Sequence, residues 1–340
     1  MAQWVAGALC GVLILSFLGT GFVRHIARRR KILDIPNRRS SHEAPTPRGG
    51  GIVLALLFLF AVTGLLVAGV ASRRLWIALL GGGAVVAAVG WLDDCRRLSS
   101  ALRLLLYALA AAWSSVWIGG LPTLSLGFAG IEFGWGGYLL AWAVILGLTN
   151  IYNFMDGIDG LAGGEAVAVG AGAGAVLVFS GQPYLGWLLI GLAVAVLGFL
   201  PWNWSPARIF MGDSGSNFLG FAFASCAIAS EAAVPGSAWI WALLLAVFVV
   251  DGLLTFGRRL IRRLSPRVAH RSHAYQGALL KGFSHGAVST AVMVINFGLI
   301  GLAVLVWNLP VAAIPLVVAI YCALGFLHFR YSPLGRNPEE

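Results

Sequence analysis

Charged residues are scarce in this chain of 340 residues. Only 11% are Asp, Glu, Lys or Arg, against roughly 25% in a typical soluble domain, whereas 59% are hydrophobic. Such a chain has too few polar side chains to cover a soluble core. Cysteine is also rare, and no CxxC spacing occurs, which argues against a zinc site or a disulfide framework. The four cysteines stand alone at Cys10, Cys95, Cys226 and Cys322.

Long apolar runs recur along the chain instead. Because only helices and closed barrels satisfy the backbone inside a bilayer, these runs predict an all-α polytopic membrane protein. A Gly-rich stretch over 121–135 is either a loop or a re-entrant segment. The eleven candidate spans are 2–23, 51–71, 75–92, 104–120, 136–152, 164–181, 185–201, 215–231, 237–257, 287–307 and 311–329.

The distribution of basic residues predicts the orientation. The first span has no Lys or Arg before it and a basic cluster, 24–31, after it, which indicates a permanent helix with the N-terminus outside. The C-terminus and 21 of the 23 Lys and Arg residues then face the cytoplasm, as the positive-inside rule expects. The net charge of +10 is therefore ascribed to membrane topology, and no nucleic-acid partner is expected. We interpret residues 1–340 as one integral membrane domain with cytoplasmic catalytic loops at 24–50, 93–103, 150–163, 202–216 and 258–286.

Most aspartates fall in these loops or at the inner ends of spans. Acids at membrane depth usually have a function or a partner, because an unpaired charge there is costly. The pair Asp93 and Asp94 ends the third span. Adjacent carboxylates suit a metal ion or an acid–base task, and a capping pair neutralised by the following arginines is the structural alternative.

A longer polar motif follows the fifth span. On one continuous helix its first and last members would face opposite ways, but the glycine at 157 lets the chain leave the helix. The four polar side chains are then expected to converge on a phosphate, a ribose or a hydrated cation. Capping of the helix by the asparagines is the structural alternative. The motif consists of Asn150, Asn153, Asp156 and Asp159.

Three further loops carry groups suited to phosphate. Asp213 lies between glycines where the eighth span begins, a place that favours anions and hydroxyl caps. His270, Arg271 and His273 form a basic loop after the ninth span, for which binding to lipid headgroups is the alternative. The Pro- and Gly-rich first loop is suited to receive a lipid phosphate. Its candidate residues are Arg38, His42 and Arg48.

Taken in order, these motifs resemble those of the polyprenyl-phosphate N-acetylhexosamine-1-phosphate transferases, the WecA/MraY-like enzymes of glycosyltransferase family 4 type in bacterial cell-envelope synthesis. The resemblance extends over 34–275. It rests on D-x-P-N-x-R-x-x-H from residue 34, the acid pair, N-x-x-N-x-x-D-G-x-D-G from residue 150, M-G-D-S-G from residue 211, and the histidine loop.

The resemblance implies ten or eleven transmembrane helices in the bacterial inner membrane, with an active site on the cytoplasmic face. The implied reaction joins a UDP-N-acetylaminosugar to undecaprenyl phosphate and releases UMP. Mg²⁺ is the implied cofactor, with Mn²⁺ as the alternative. By motif position, Asp213 and Asp156 are implied to be metal ligands.

The resemblance also implies roles for the other motif residues. Asp93 and Asp94 are implied to contact or deprotonate the lipid phosphate. The residues implied to bind the nucleotide, the diphosphate and the sugar-phosphate are Asn153, Asp156, Asp159, His270 and His273.

Two departures from the family pattern bear on the substrate. Arg97 stands where the family usually has Lys. Arg271 and Ser272 interrupt the histidine loop, as in enzymes that initiate O-antigen chains. The expected donor is therefore UDP-GlcNAc or a deoxy relative such as the FucNAc or QuiNAc form.

Alternatives for function and assembly stay open. One is the phospho-MurNAc-pentapeptide transferase of peptidoglycan synthesis. Another, from a different class, is a secondary transporter of an anionic solute, which would place its charges near the midplane in repeated halves. Membrane lipids are expected partners, and the chain could also form a homodimer.

Overall fold

A computed structural model describes residues 2–36, 44–127, 129–264 and 271–333. In this part of the chain the backbone forms thirteen α-helices, a 3₁₀ turn at Pro310–Ala312 and two antiparallel two-stranded hairpins. The helices are α1 Ala2–Arg29, α2 Ile52–Val67, α3 Arg73–Arg96, α4 Ser100–Ile118, α5 Gly136–Met155, α6 Leu161–Phe179, α7 Pro183–Asn203, α8 Asp213–Ala233, α9 Ser237–Leu244, α10 Ala246–Ile261, α11 Ala274–Leu280, α12 His285–Asn308 and α13 Ala313–Tyr331. The strands are β1 Leu33–Asp34, β2 Thr46–Pro47, β3 Thr123–Ser125 and β4 Gly130–Glu132.

Several helices begin at a serine that caps the first turn. The side-chain oxygens of Ser72, Ser99 and Ser284 each accept a hydrogen bond from the backbone N–H three residues later, at 3.2–3.3 Å. Such caps satisfy donors that the helix itself leaves unpaired. They fix where α3, α4 and α12 start.

Every predicted span except the ninth lies on a single helix, so the prediction of an all-α, multi-pass membrane protein is confirmed at this level. In the described residues, eight helices are long and apolar enough to cross a membrane. The ninth predicted span is broken into α9 and α10, which meet at 71° and would make nine crossings if they count as one. The predicted total of ten or eleven is not reached by this criterion, because α2 has only 16 residues and α8 is not among the eight. The stretch 121–135 contains the β3–β4 hairpin.

The two central helices are α6 and α8. Nearly all of α8 is buried, and it packs against α3 and α5, while α6 packs against α7 and α12. Because α8 meets protein on most sides, it can carry small and polar residues such as Ser225 and Asn217. Large apolar side chains, including those of Phe22 and Phe60, lie instead on the outer surface of the bundle.

Close backbone contacts join the ends of three helices at the surface that carries the polar motifs. A Cβ on Gly51 would lie 2.3 Å from Cα of Gly215, and one on Gly90 would lie 2.5 Å from the carbonyl oxygen of Asp213. The segment after β2 also pairs with the segment before α8, since the N–H groups of Gly50 and Gly51 donate to the carbonyls at 210 and 211 at 3.0 and 2.9 Å. These contacts place Arg48 beside the first turn of α8.

Candidate active site

Asp94, on the last turn of α3, holds the first turn of α8. Its carboxylate accepts hydrogen bonds from the N–H of Asp213 (3.0 Å), the N–H of Ser214 (3.2 Å) and the hydroxyl of Ser214 (2.7 Å). Gly212 has φ 75°, and a Cβ there would lie 2.5 Å from the Asp94 carboxylate, so only glycine fits. A negative charge at a helix N-terminus is favourable. The side chain of Asp213 therefore leaves α8 from a fixed position.

Two arginines pair with three carboxylates at this point. Arg48 donates through Nε (2.9 Å) and Nη2 (2.7 Å) to Oδ1 of Asp94, and its Nη2 lies 3.5 Å from Oδ1 of Asp213. Arg103, from α4, donates through Nη1 to Oδ2 of Asp93 at 2.9 Å and also to Oδ2 of Asp213. We call these five residues the acid–arginine cluster. With three acids and two guanidinium groups, its formal charge is −1 when all are ionised.

The polar motif after α5 supplies two side chains to the same place. The amide of Asn153 donates to Oδ1 of Asp213 (3.3 Å) and to the hydroxyl of Ser216 (2.9 Å). Asp156 caps the C-terminus of α5 and is half-buried. No described residue donates a hydrogen bond to its carboxylate. Burial, reinforced by Asp213 and Asp94, raises the pKa of Asp156 to about 8.

Asp159 faces a different part of the molecule. Its Oδ2 accepts the N–H of Ala207 at 3.1 Å and lies 3.4 Å from Nδ1 of His285. Burial alone would raise the pKa of Asp159, but the hydrogen bonds from His285 and Ala207 outweigh it, and the pKa is lowered. In this structure Asp159 therefore ties the turn before α6 to α12 and to the loop before α8.

Asn150 is also separate from the cluster. Its amide donates to the carbonyl of Leu146, one turn back in its own helix, at 2.7 Å. The expected convergence of four polar groups is thus reduced to Asn153 and Asp156. The reason is that α5 continues unbroken to Met155, and a polar side chain within the helix body satisfies itself on the preceding turn.

The histidine loop reaches the same region through α11. His273 stands at the N-cap of α11, its Nδ1 lies 3.5 Å from Oδ1 of Asp251, and its ring stacks on Tyr275 at 5.6 Å. The hydroxyl of Tyr275 donates to the carbonyl of Phe154 at 3.1 Å, next to the turn that carries Asp156. Arg271 is half-buried. Three candidates from the sequence lie outside the described residues: Arg38, His42 and His270.

Comparison with known proteins identifies the family. The model of glycosyl transferase family 4 matches residues 76–231. A Bacillus subtilis (strain 168) protein named "Probable undecaprenyl-phosphate N-acetylglucosaminyl 1-phosphate transferase" is 31% identical over 297 residues, which are 84% of this chain and 80% of the relative. The chain belongs to glycosyl transferase family 4.

The names of two further relatives specify a different lipid or a different donor. A Mycobacterium leprae (strain TN) protein named "Decaprenyl-phosphate N-acetylglucosaminephosphotransferase" is 30% identical over 81% of this chain and 77% of its own length. A Synechococcus protein (strain JA-3-3Ab) named "Phospho-N-acetylmuramoyl-pentapeptide-transferase" is 34% identical over 71% of each chain. The matched family-4 region, 76–231, contains the acid pair, the motif after α5 and the start of α8.

Some residues of the candidate site were not among those predicted from the sequence. Arg103 bridges Asp93 and Asp213, but its only signal was its place among the few basic residues of the loop 93–103. His285 pairs with Asp159, and nothing in its sequence context indicated this. Asp251 is an acid within the ninth predicted span, and its partners are histidines.

The donor set bears on whether a metal ion fits. In the described part of the chain, no group of three or more His, Cys, Asp or Glu residues is arranged to hold one. Mg²⁺, however, is commonly held by one or two carboxylates and by substrate phosphates and water. Asp156 and Asp213 offer two such oxygen donors beside a cluster with excess negative charge. The residues present therefore fit Mg²⁺ in the presence of a phosphorylated substrate.

Proposed function

We propose that this protein transfers an N-acetylaminosugar-1-phosphate from a UDP-sugar to undecaprenyl phosphate and releases UMP. The proposal rests on the acid–arginine cluster. This cluster lies where three helix ends are held in fixed positions, in a multi-pass membrane protein of glycosyl transferase family 4. The names of the two N-acetylglucosamine relatives favour UDP-GlcNAc as the donor. A deoxy relative such as the FucNAc or QuiNAc form, and a place at the start of O-antigen synthesis, remain predictions from the histidine loop.

The geometry suits phosphoryl transfer, which needs positioning and charge neutralisation more than a strong nucleophile. Arg103 presents a guanidinium group that matches phosphate oxygens, while Arg48 is paired through Nε and Nη2 with the buried Asp94. Asp93, whose side chain is 8% exposed, is better placed to meet the lipid phosphate than Asp94, whose side chain is fully covered. Asn153 orients Asp213, and His273 lies where α11 approaches the same turn.

Asp156 and Asp213 would hold Mg²⁺. The cation would supply charge neutralisation for the phosphates of the donor. It would also favour the carboxylate form of Asp156, whose raised pKa otherwise keeps it protonated at neutral pH. Mn²⁺ has the same preference for oxygen ligands.

The lipid acceptor explains why the site lies at one end of a membrane bundle. The polyprenyl tail stays in the bilayer while its phosphate meets the polar loops. We place this end at the cytoplasmic face of the bacterial inner membrane, with the N-terminus outside, because basic residues concentrate in the loops on that side. A homodimer remains a prediction.

A second candidate function is transfer of phospho-MurNAc-pentapeptide, favoured by the Synechococcus relative at 34% identity. The donor separates the two candidates. Membranes that contain the protein should be supplied with UDP-GlcNAc, the deoxy-sugar donors and UDP-MurNAc-pentapeptide in turn, and the lipid product identified by mass spectrometry. Asp213→Asn, which should insert normally but lack activity, is the matched control. Release of UDP in place of UMP would contradict the proposal, since the sugar alone would then be transferred.

A further inference from the structure

A buried carboxylate on α10 lies behind the histidine loop. Oδ1 of Asp251 lies 2.9 Å from Nδ1 of His328, on α13, and 3.5 Å from Nδ1 of His273. The two carboxylate oxygens also accept the N–H of Ala274, at 3.0 and 3.1 Å. One side chain therefore joins α10, the start of α11 and the last helix.

The contacts of His328 define its tautomer. Its Nε2 lies 3.4 Å from Nη1 of Arg258, and a guanidinium group can only donate. Nε2 is therefore the acceptor, and Nδ1 carries the proton that is donated to Asp251. A carboxylate whose orientation is fixed in this way can in turn hold the N–H of Ala274 at the start of α11, with the ring of His273 beside it.

The position of α11 depends on its tertiary contacts. The helix has seven residues, too few to be stable by itself. Ala274 and Ala278 of α11 border an apolar cavity of about 410 Å³ that is also lined by α10, α12 and α13. Specific contacts therefore add to the packing of the buried Tyr275 and Ala278 in holding α11.

The end of α13 provides several of these contacts. A Cβ on Gly277 would lie 2.0 Å from the carbonyl oxygen of Tyr331, so the two helices touch through their backbones. Nζ of Lys281 donates to the carbonyl of Arg330 at 2.6 Å, and the hydroxyl of Ser332 donates to the carbonyl of Ser272 at 2.6 Å. Both ends of α11 are thus attached to α13.

The other side of α11 meets the catalytic turn. The hydroxyl of Tyr275 donates to the carbonyl of Phe154, and a Cβ on Gly157 would lie 2.0 Å from that hydroxyl oxygen. A shift of α11 would therefore disturb the turn that carries Asp156.

We propose that His328 is a positioning residue of the active site. By donating to Asp251, it fixes the carboxylate that holds His273 and the first turn of α11 against the Asp156 turn. This inference rests on the proposed function, in which His273 contacts the sugar-phosphate of the donor. It makes the last helix part of the apparatus that binds the nucleotide sugar.

The test compares two substitutions of His328 with a control on the same helix. In His328→Asn the amide N–H can replace the donor at Nδ1, whereas His328→Leu keeps the bulk and removes the donor. The control is Tyr321→Phe, because the Tyr321 hydroxyl donates to the carbonyl of Ala242 at 3.1 Å, on α9, away from the loop. We expect His328→Leu to raise the KM for the UDP-sugar at least tenfold and to leave the KM for the lipid acceptor unchanged. His328→Asn should restore most of the loss, and Tyr321→Phe should behave as wild type.

A second readout does not depend on activity. Hydrogen exchange of the amides in 274–280 should become faster in His328→Leu and stay near wild type in the other two variants. If His328 had a purely structural role, the behaviour of the variants would depend on the size and apolarity of the side chain. Leucine would then be tolerated and asparagine would not. Equal KM values and equal exchange in His328→Leu and wild type would overturn the inference. If wild-type membranes make no lipid-linked sugar, the proposed function fails, and the exchange data alone decide the role of His328.

Discussion

The affinity of this protein for Mg²⁺ should fall as the pH is lowered through the range in which Asp156 titrates. Burial and the nearby carboxylates of Asp213 and Asp94 raise the pKa of Asp156 to about 8. Protons compete with the cation, because a hard cation binds the carboxylate and not the carboxylic acid. The experiment therefore varies the pH and measures the affinity for the cation.

The expected magnitude follows from that pKa. The carboxylate fraction of Asp156 would be roughly 3% at pH 6.5 and roughly 75% at pH 8.5, so half-saturation should need roughly 25-fold more cation at pH 6.5. The pH dependence of the free energy of unfolding that Asp156 contributes has the opposite sign to that of a salt-bridged acid. Because the folded-state pKa lies above the unfolded value near 4, the metal-free protein is stabilised at low pH and loses that contribution as the pH rises through about 8.

Binding of Mn²⁺, followed by its paramagnetic resonance signal in detergent-solubilised protein, measures this without turnover. Asp156→Asn should bind the ion weakly and with little dependence on pH between 6.5 and 8.5. Asp159→Asn is the matched control from the same turn, and it should keep the wild-type dependence because the pKa of Asp159 is lowered. The reasoning is refuted if wild type binds equally well at both pH values, or if Asp156→Asn keeps the full dependence.

Four further predictions concern topology, stability and chemistry. Reporter fusions at Gly236 should indicate the periplasm and fusions at Gly282 the cytoplasm; a periplasmic result at Gly282 would contradict the orientation. Asp94→Asn should lower the thermal stability in detergent, since removal of one partner of a buried ion pair costs about 3–5 kcal/mol, and equal melting of variant and wild type would argue against the anchoring role. Arg103→Lys should retain charge but raise the KM for the UDP-sugar, because lysine lacks the planar fork; an unchanged KM would remove Arg103 from the phosphate site. Excess UMP should drive the lipid-linked sugar back to UDP-sugar, and labelled UMP should enter UDP-sugar only with lipid present; exchange without lipid would indicate a covalent intermediate.

The helical fold was readable from the sequence because a bilayer admits only helices and closed barrels, and apolar runs of this length are typical of helices. The break between α9 and α10 was not readable from the sequence. It falls at Leu245, between Leu244 and Ala246, where no glycine or proline signals a bend. Nothing in the local sequence pattern therefore predicts the 71° bend.

The candidate site was predictable at positions where glycines or a helix end and an acidic side chain occur together in the sequence. Asp213, flanked by glycines at a helix start, and the pair at the end of α3 do meet. The partners of these acids were less predictable, because a long arginine side chain can choose among several carboxylates. The family pattern drew attention to Arg97, yet Arg97 ends α3 in the left-handed region, with φ 51°, and the bridging role falls to Arg103.

The two arginines of the cluster are not equivalent, and their difference indicates which one can serve a substrate. Arg48 uses both Nε and Nη2 on Asp94, whose side chain is fully buried, so releasing Arg48 would leave a buried charge unpaired. Arg103 makes both its carboxylate contacts through Nη1 and is more exposed, at 26% against 16% for Arg48. A phosphate oxygen can therefore satisfy Arg103 at little structural cost, while Arg48 keeps α3 and α8 in place.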